Sequence, residues 1–218
     1  MMKRMILSVI FVLTTILSFA QVSTKNCVEI KHKGYTTLFD TVLKYPVLVK
    51  WIDTKSRLSC GDDKLSRKDN FQPDPKLYKE TNLGKDYVGS GYDRGHMCPA
   101  ADNQCDADEM VECFYFSNMA PQPHATNAGD WKTVEEDTRD YTLKNDSVYV
   151  WCGSVGNAKK VKSLTVPTQC WKVIYIVKTN TWYAYIMNNT FDHPVGKSKW
   201  VVKVSDVEKL TGFKFVKY

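Results

Sequence analysis

Apolar residues occur along the chain in short runs that predict separated β-strands rather than a regular alternation of strands and helices. The runs at residues 47–52 (VLVKWI) and 148–151 (VYVW) each predict a buried strand. Residues 171–178 and 182–187 alternate in polarity around a polar stretch, 179–181, and predict a β-hairpin with a three-residue loop. Because no strand–helix–strand repeat is present, the pattern favours the α+β class.

Two helices are predicted from residue spacing and from helix-end signals. Positions 131, 134, 138 and 141 follow at intervals of three, four and three, so a helix should begin near Asn127 and continue to about residue 140. Such a helix would keep Asn127 and Glu135 on broadly one side, about 12 Å apart along its axis. The sequence SDVE at 205–208 matches a capping box and predicts a second, short helix that Gly212 should end.

The first twenty residues have the pattern of a secretory signal peptide. Lys3 and Arg4 precede an uncharged apolar run at 5–20, and small residues, Ser18 and Ala20, occupy the −3 and −1 positions of a cleavage site. The run is shorter than the roughly 18 to 20 residues of a membrane-spanning helix. We therefore expect an exported protein, secreted or periplasmic, whose mature chain begins at residue 21 and has no membrane anchor.

Composition and charge narrow the class of protein without naming a ligand. The 218 residues are 43% hydrophobic and 25% charged, as in ordinary globular proteins, which excludes collagen-like and disordered chains. No repeat and no long linker interrupts residues 21–218, so they are predicted to form one domain. A net charge of +6 is compatible with a polyanionic partner.

All seven cysteines lie beyond residue 20, and in an oxidising compartment they are expected to form disulfides, with at least one left unpaired. Cys152 ends one predicted strand and Cys170 precedes another, so the two can be bridged if those strands are neighbours. The alternative is a zinc site, whose ligands would be His96, Cys98, Cys105 and Cys113. Their intervals match no usual zinc-ligand spacing.

Polar residues suited to catalysis are concentrated between positions 92 and 136. They lie in four groups: DRGH at 93–96, SNMAPQ at 117–122, NAGDW at 127–131, and Glu135. A neutral histidine can accept a proton from water, and an arginine can bind a phosphate oxygen. Mg²⁺ prefers oxygen ligands and keeps several waters, so an Asn oxygen and a nearby carboxylate suit it.

These groups resemble, in order and spacing, the motifs of the DNA/RNA non-specific endonuclease family, whose active site is of the ββα-metal (His-Me finger) type. The motif core covers residues 93–135, and looser similarity extends over most of the chain. The resemblance implies a central antiparallel sheet flanked by helices. It also implies an enzyme that depends on Mg²⁺, which Mn²⁺ can replace, and that hydrolyses DNA and RNA to 5′-phosphate ends without sequence preference.

The resemblance assigns a role to each matching residue of the motif core. The general base falls on His96 and the direct metal ligand on Asn127. Glu135 corresponds to the acidic residue that holds water on the metal, and Arg94 to the arginine near the substrate phosphate. Asn118 corresponds to an asparagine that supports the site.

The family's second phosphate-binding arginine has no direct counterpart. It lies just before an Asn-aromatic pair, here Asn70-Phe71, but Asp69 occupies that position. The nearest arginine is Arg67, two residues earlier. Arg67 is therefore the candidate for this contact.

Two other functions stay open on the sequence. One is a nucleic-acid-binding protein without activity, which is disfavoured because the base, metal-ligand and acidic candidates are all present. The other is a phosphodiesterase for a small nucleotide or another phosphate ester. The basic run of Lys159, Lys160 and Lys162 favours a solvated loop over a DNA groove.

Overall fold

The fold is built around one antiparallel sheet, which confirms the α+β prediction. The computed structural model describes residues 22–192 and 195–216, and the strands in these ranges are β1 (Cys27–Lys31), β2 (Thr36–Asp40), β3 (Tyr45–Thr54), β4 (Asp93–His96), β5 (Met119–Gln122), β6 (Ser147–Val155), β7 (Lys159–Val161), β8 (Leu164–Val166), β9 (Gln169–Ile176) and β10 (Thr181–Asn188). The large sheet has the order β1-β2-β3-β6-β9-β10. Two small antiparallel pairs, β4-β5 and β7-β8, lie outside it.

The helices are short apart from one. They are α1 (Lys55–Leu58), α2 (Tyr78–Thr81), α3 (Gly84–Tyr87), α4 (Ala107–Glu112), α5 (Lys132–Asn145) and α6 (Val204–Thr211). No helix among the described residues is long and apolar enough to cross a membrane.

The two faces of the large sheet belong to two separate cores, because successive side chains of a strand point to opposite faces. On one face, Val150 and Ile174 pack in the same buried cluster as Val134 of α5. On the other face, Trp151 and Trp171 pack with residues that include Val207 of α6. The first cluster also contains residues next to β4 and β5, so these two strands lie on the α5 side of the sheet.

Most of the predicted strands and turns are confirmed with small shifts. The hairpin of β9 and β10 pairs Ile176 with Thr181, so its loop is residues 177–180, four residues rather than three. The last helix begins after Lys203, whose backbone N–H donates to the Asp206 carboxylate over 3.1 Å. The capping box thus lies two residues earlier than predicted. Gly212 ends the helix with a φ of 77°, as expected.

The prediction of one continuous helix from Asn127 to residue 140 is wrong at its start. Residues Thr126–Trp131 form a wide, π-type turn that leaves helical dihedral angles at Gly129, and the regular helix α5 follows. Periodicity does not detect this turn because Trp131, the first position of the predicted helical pattern, is buried as that pattern requires. The single-axis spacing predicted for Asn127 and Glu135 therefore does not apply.

The predicted Cys152–Cys170 disulfide is wrong, although β6 and β9 are neighbours as expected. Their register pairs Cys152 with Lys172 and Cys170 with Ser154, which offsets the two cysteines along the ladder. Both thiols are free and buried. The disulfide that forms joins Cys60 to Cys105, with 5.5 Å between their Cα atoms, so Cys105 is not available to the alternative zinc site.

The predicted signal peptide, residues 1–20, lies outside the described residues.

Candidate active site

The DRGH tetrapeptide forms strand β4, which pairs antiparallel with β5. Its glycine is required by the close approach of a side chain from β5. A Cβ at Gly95 would lie 2.0 Å from Oε1 of the buried Gln122, so any larger residue would force that side chain out of its position. Arg94 and His96 flank this contact and take their positions from the ladder, opposite Pro121 and Met119.

His96 lies in an aromatic pocket that keeps it neutral. Its side chain is nearly buried, and its ring meets Phe114 edge-on, with 5.0 Å between the ring centroids. Burial is the main cause that lowers the pKa of His96, to about 3, and the positive charge of Arg67 lowers it further. Nε2 has no hydrogen-bond partner among the described residues. His96 is thus an uncharged imidazole at physiological pH, as a proton acceptor must be.

Two side chains fix the backbone around His96. The indole nitrogen of Trp131 donates to the His96 carbonyl oxygen over 3.0 Å, which ties the turn before α5 to β4. Asn118 is fully buried, accepts from the Cys98 N–H at 2.9 Å, and donates to the carbonyl oxygens of Cys98 and Cys113. With its amide committed in this way, Asn118 is suited to hold the strand rather than to touch a ligand.

Asn127 is oriented by the first residue of the DRGH motif. Its amide nitrogen donates to Oδ2 of Asp93 over 2.9 Å, and Nδ1 of the exposed His124 lies 2.8 Å from the same oxygen. Because the nitrogen is committed to Asp93, the amide oxygen is left as the acceptor that a cation requires. No described residue donates a hydrogen bond to that oxygen.

Glu135 faces a buried lysine that the sequence interpretation missed. Its carboxylate lies 3.8 Å from Nζ of Lys172, and the ammonium group lies 4.3 Å from the ring centroid of Trp131. Burial raises the pKa of Glu135 to about 7, and the charge of Lys172 opposes the rise. The sequence does contain a signal for Lys172, because in the alternating pattern of β9 it stands at an inward-facing position whose neighbours on the same face are apolar.

The two candidate arginines stack on the aromatic rings that surround His96. The guanidinium carbon of Arg94 lies 5.0 Å from the Phe71 centroid, and that of Arg67 lies 5.4 Å from the Phe114 centroid. Both rings contact the imidazole. Arg67 and Arg94 therefore each stack on a ring that contacts His96, but Nε of Arg67 is bound to Asp69 over 2.7 Å. This ion pair is exposed.

Comparison with known proteins decides the family. The sequence model of the DNA/RNA non-specific endonuclease family matches residues 15–218. The chain belongs to this family. The family prediction is confirmed, and with it the expectation of a protein related to nucleic-acid-hydrolysing enzymes. The nucleases of this family depend on a metal ion.

Relatives of this chain support the same conclusion in sequence and structure. It is 33% identical to mitochondrial nuclease EXOG of Xenopus laevis over 211 residues, covering 85% of this chain and 57% of the relative. It is 34% identical to nuclease C1 of Cunninghamella echinulata var. echinulata over 183 residues, covering 74% and 72%. A chain in the crystal structure of the EndoG/EndoGI complex superposes with a TM-score of 0.74 at 29% identity, covering 86% and 84%.

The chain spans only a little over half the length of its EXOG relatives: 57% of the Xenopus laevis protein and 55% of the Homo sapiens protein.

The predicted exported location, secreted or periplasmic, is contradicted by the relatives. Nuclease EXOG of Xenopus laevis and of Homo sapiens and nuclease 1 of Schizosaccharomyces pombe are named as mitochondrial proteins. These names point to mitochondria rather than to export. A positively charged start was weak support for a secretory signal, because mitochondrial transit peptides are basic as well.

Proposed function

We propose that this family member is an endonuclease that hydrolyses phosphodiester bonds of DNA and RNA with the help of Mg²⁺, leaving 5′-phosphate ends. The observation that carries the proposal is the arrangement on β4. The last residue of the strand is the buried, neutral His96, and the first residue, Asp93, orients the amide of Asn127. The catalytic unit proposed is residues 21–218.

The residues present fit a hydrated divalent cation. The amide oxygen of Asn127 is a neutral oxygen donor left unpaired by the described residues, and Glu135 supplies a carboxylate for water-mediated contact. Asn127 directly, and Glu135 through water, would hold the ion, which when bound supplies positive charge to the phosphate oxygens in the transition state. Mn²⁺ has similar oxygen preferences and is expected to substitute.

His96 is proposed as the general base. Hydrolysis requires the attacking water to lose a proton, and an uncharged imidazole with an unpartnered nitrogen can accept it. Trp131 and Asn118 keep the imidazole in place by fixing the backbone at residues 96 and 98. They are positioning residues, since they do not touch the reacting atoms.

Arg94 and Arg67 are proposed to bind the phosphate that is cleaved. Their guanidinium groups lie on the rings of Phe71 and Phe114, so both present positive charge next to His96. Charge-assisted contacts from arginine favour phosphate oxygens. Contacts of this kind reach the sugar-phosphate backbone and not the bases, so cleavage without sequence preference is expected.

Incubation of the purified protein with plasmid DNA and with RNA, in Mg²⁺ and in EDTA, tests the proposal. We expect both polymers to be cut in Mg²⁺ and neither to be cut in EDTA. Binding without cleavage would indicate an inactive nucleic-acid-binding protein. Hydrolysis of a small phosphodiester such as bis(p-nitrophenyl) phosphate without cleavage of either polymer would indicate the phosphodiesterase alternative.

A further inference from the structure

An exposed phenylalanine and a lysine share one aromatic neighbour at the start of β4. The ring centroid of Phe191 lies 5.1 Å from that of Tyr92, and Nζ of Lys159 lies 5.4 Å from the Tyr92 centroid and 5.7 Å from the Phe191 centroid. Phe191 is 59% exposed, whereas Tyr92 is buried beneath it. We call Tyr92, Phe191 and Lys159 the aromatic corner.

A single exposed phenylalanine is common on protein surfaces, but this one is held in place. Asn189, two residues earlier, is buried and donates from Nδ2 to the carbonyl oxygens of Pro121 in β5 and Pro167. The Phe191 ring lies over the turn at Gly91, where an added Cβ would be 4.0 Å from Cζ. A ring fixed before binding loses little conformational freedom when a ligand stacks on it.

The positive charge of the corner is free to bind an anion. Lys159 is exposed, and no carboxylate oxygen of the described residues lies within 4.0 Å of its ammonium group. Lys162 in the same basic run is used differently, because its ammonium group donates to the Val88 carbonyl oxygen over 2.6 Å. That contact fixes the β7-β8 hairpin beside α3 and so keeps Lys159 next to Tyr92.

The corner adjoins the proposed catalytic site through the chain itself. Tyr92 directly precedes Asp93, whose carboxylate holds Asn127. Because the Cα atoms of consecutive residues are about 3.8 Å apart, a nucleic-acid strand with its scissile phosphate near Asn127 can reach the corner with a neighbouring nucleotide. Aromatic rings stack on unpaired bases and lysines contact the phosphates in proteins that bind single strands, whereas a base inside a duplex has both faces covered.

We propose that the aromatic corner is a binding subsite for an unpaired nucleotide, with the base stacked on Phe191 and a phosphate on Lys159. The inference rests on the proposed nuclease function and adds a preference for single-stranded substrate over intact duplex.

Binding measured by fluorescence anisotropy in Mg²⁺ tests the subsite, with the His96→Ala protein used so that the nucleic acid is not cut. The probes are one labelled single-stranded oligonucleotide and the blunt duplex of the same sequence. Adding Phe191→Ala should weaken single-strand binding about tenfold, because the unpaired base loses the ring on which it stacks. Duplex binding should change less than about twofold. Phe191→Trp should restore single-strand binding.

Two controls make the outcome specific. Tyr78→Ala removes another exposed ring, 60% exposed on α2, and should leave both affinities unchanged. Lys159→Ala should weaken single-strand binding and reduce the slope of log affinity against log salt by about 0.7, as expected for one lost phosphate contact.

Unchanged single-strand affinity in Phe191→Ala, or an equal loss for duplex, would overturn the subsite. Cleavage of plasmid and RNA by the wild-type protein is measured in parallel. If wild type cuts nucleic acid and Phe191→Ala binds single strands as tightly as the parent protein, the subsite is rejected and the proposed nuclease function stands. If wild type cuts neither polymer, the proposed function fails.

Discussion

Asp93 accepts a hydrogen bond from the side-chain nitrogen of Asn127 over 2.9 Å, so the first residue of the DRGH strand orients an amide that lies 34 positions later in the chain. His124 approaches the same carboxylate oxygen from the surface. The Asp93–Asn127 contact makes the amide oxygen, and not the nitrogen, the group offered to a cation.

Replacing Asp93 is therefore expected to impair metal activation without removing the proposed ligand. In Asp93→Ala, the Asn127 amide is free to rotate, and the Mg²⁺ concentration for half-maximal activity should rise about tenfold or more, as for other residues that orient a metal ligand. Titration of the cleavage rate with Mg²⁺ measures this. His124→Ala is the matched control and should change the value less than about twofold. An unchanged Mg²⁺ requirement in Asp93→Ala would contradict the role of Asp93 in orienting the metal ligand.

Lys172 is expected to keep Glu135 ionised. Burial alone raises the pKa of Glu135, and the Lys172 ammonium group opposes that rise, so Lys172→Met should raise the pKa above its present value of about 7. A carboxyl group is charged only above its pKa. The activity of Lys172→Met relative to wild type should then be lowest below about pH 7 and rise steadily towards the wild-type level as the pH increases towards 9.

The pH profile of kcat decides whether Lys172 acts through Glu135. Lys172→Arg keeps the charge and should retain the wild-type profile. A purely structural role for Lys172 predicts the same fractional loss at every pH, and that result would contradict the assignment.

Asp69 is expected to weaken substrate binding by competing for Arg67. The exposed ion pair between them, 2.7 Å long, occupies Nε of Arg67 and places a negative charge beside the guanidinium group, which opposes phosphate binding there. Exposed pairs contribute about 1 kcal/mol or less, so Asp69→Asn should lower KM for DNA by up to about fivefold with little change in kcat. Asp108→Asn removes the same charge from another surface pair, with Lys33, and is the matched control. Equal KM values for Asp69→Asn and Asp108→Asn would show that Arg67 does not contact substrate.

The Cys60–Cys105 disulfide is expected to stabilise the fold. The linked residues are 45 positions apart, and closing a loop of that length contributes about 4 kcal/mol on the chain-entropy model. Urea unfolding of the Cys60→Ser/Cys105→Ser double variant measures the loss. Cys27→Ser, at a free and half-buried cysteine, should have a much smaller effect. Equal unfolding midpoints for wild type and the double variant would contradict the prediction.

The motif residues and the family were predictable from sequence because their chemistry depends on local spacing. DRGH is a four-residue strand, and the spacing of its residues sets which of them can reach a ligand. The buried strands β3 and β6 were predictable for a similar reason, since each is a short apolar run. The α+β class followed from the order of such runs.

The features that sequence did not predict depend on contacts between distant segments. The turn around Gly129 is held in part by Asp130, which accepts from the Trp200 indole over 2.8 Å, 70 positions away. The Cys152–Cys170 prediction identified neighbouring strands but not their register, which is set by the whole β6-β9 ladder. Lys172 acquires its partner only when β9 lies under α5.

The location of the protein could not be predicted from its sequence for a different reason. A basic start followed by an apolar run describes the composition of a targeting segment, and the wrong expectation of export came from that composition alone.

The most direct test of the central claim is the single-turnover rate of DNA cleavage by His96→Ala, measured with DNA affinity in the same buffer. If the buried imidazole is the general base, the rate should fall about 10²- to 10⁴-fold while affinity stays within about twofold, because phosphate affinity comes from the arginines and the metal. A cleavage rate within tenfold of wild type would contradict the assignment of His96 as the base.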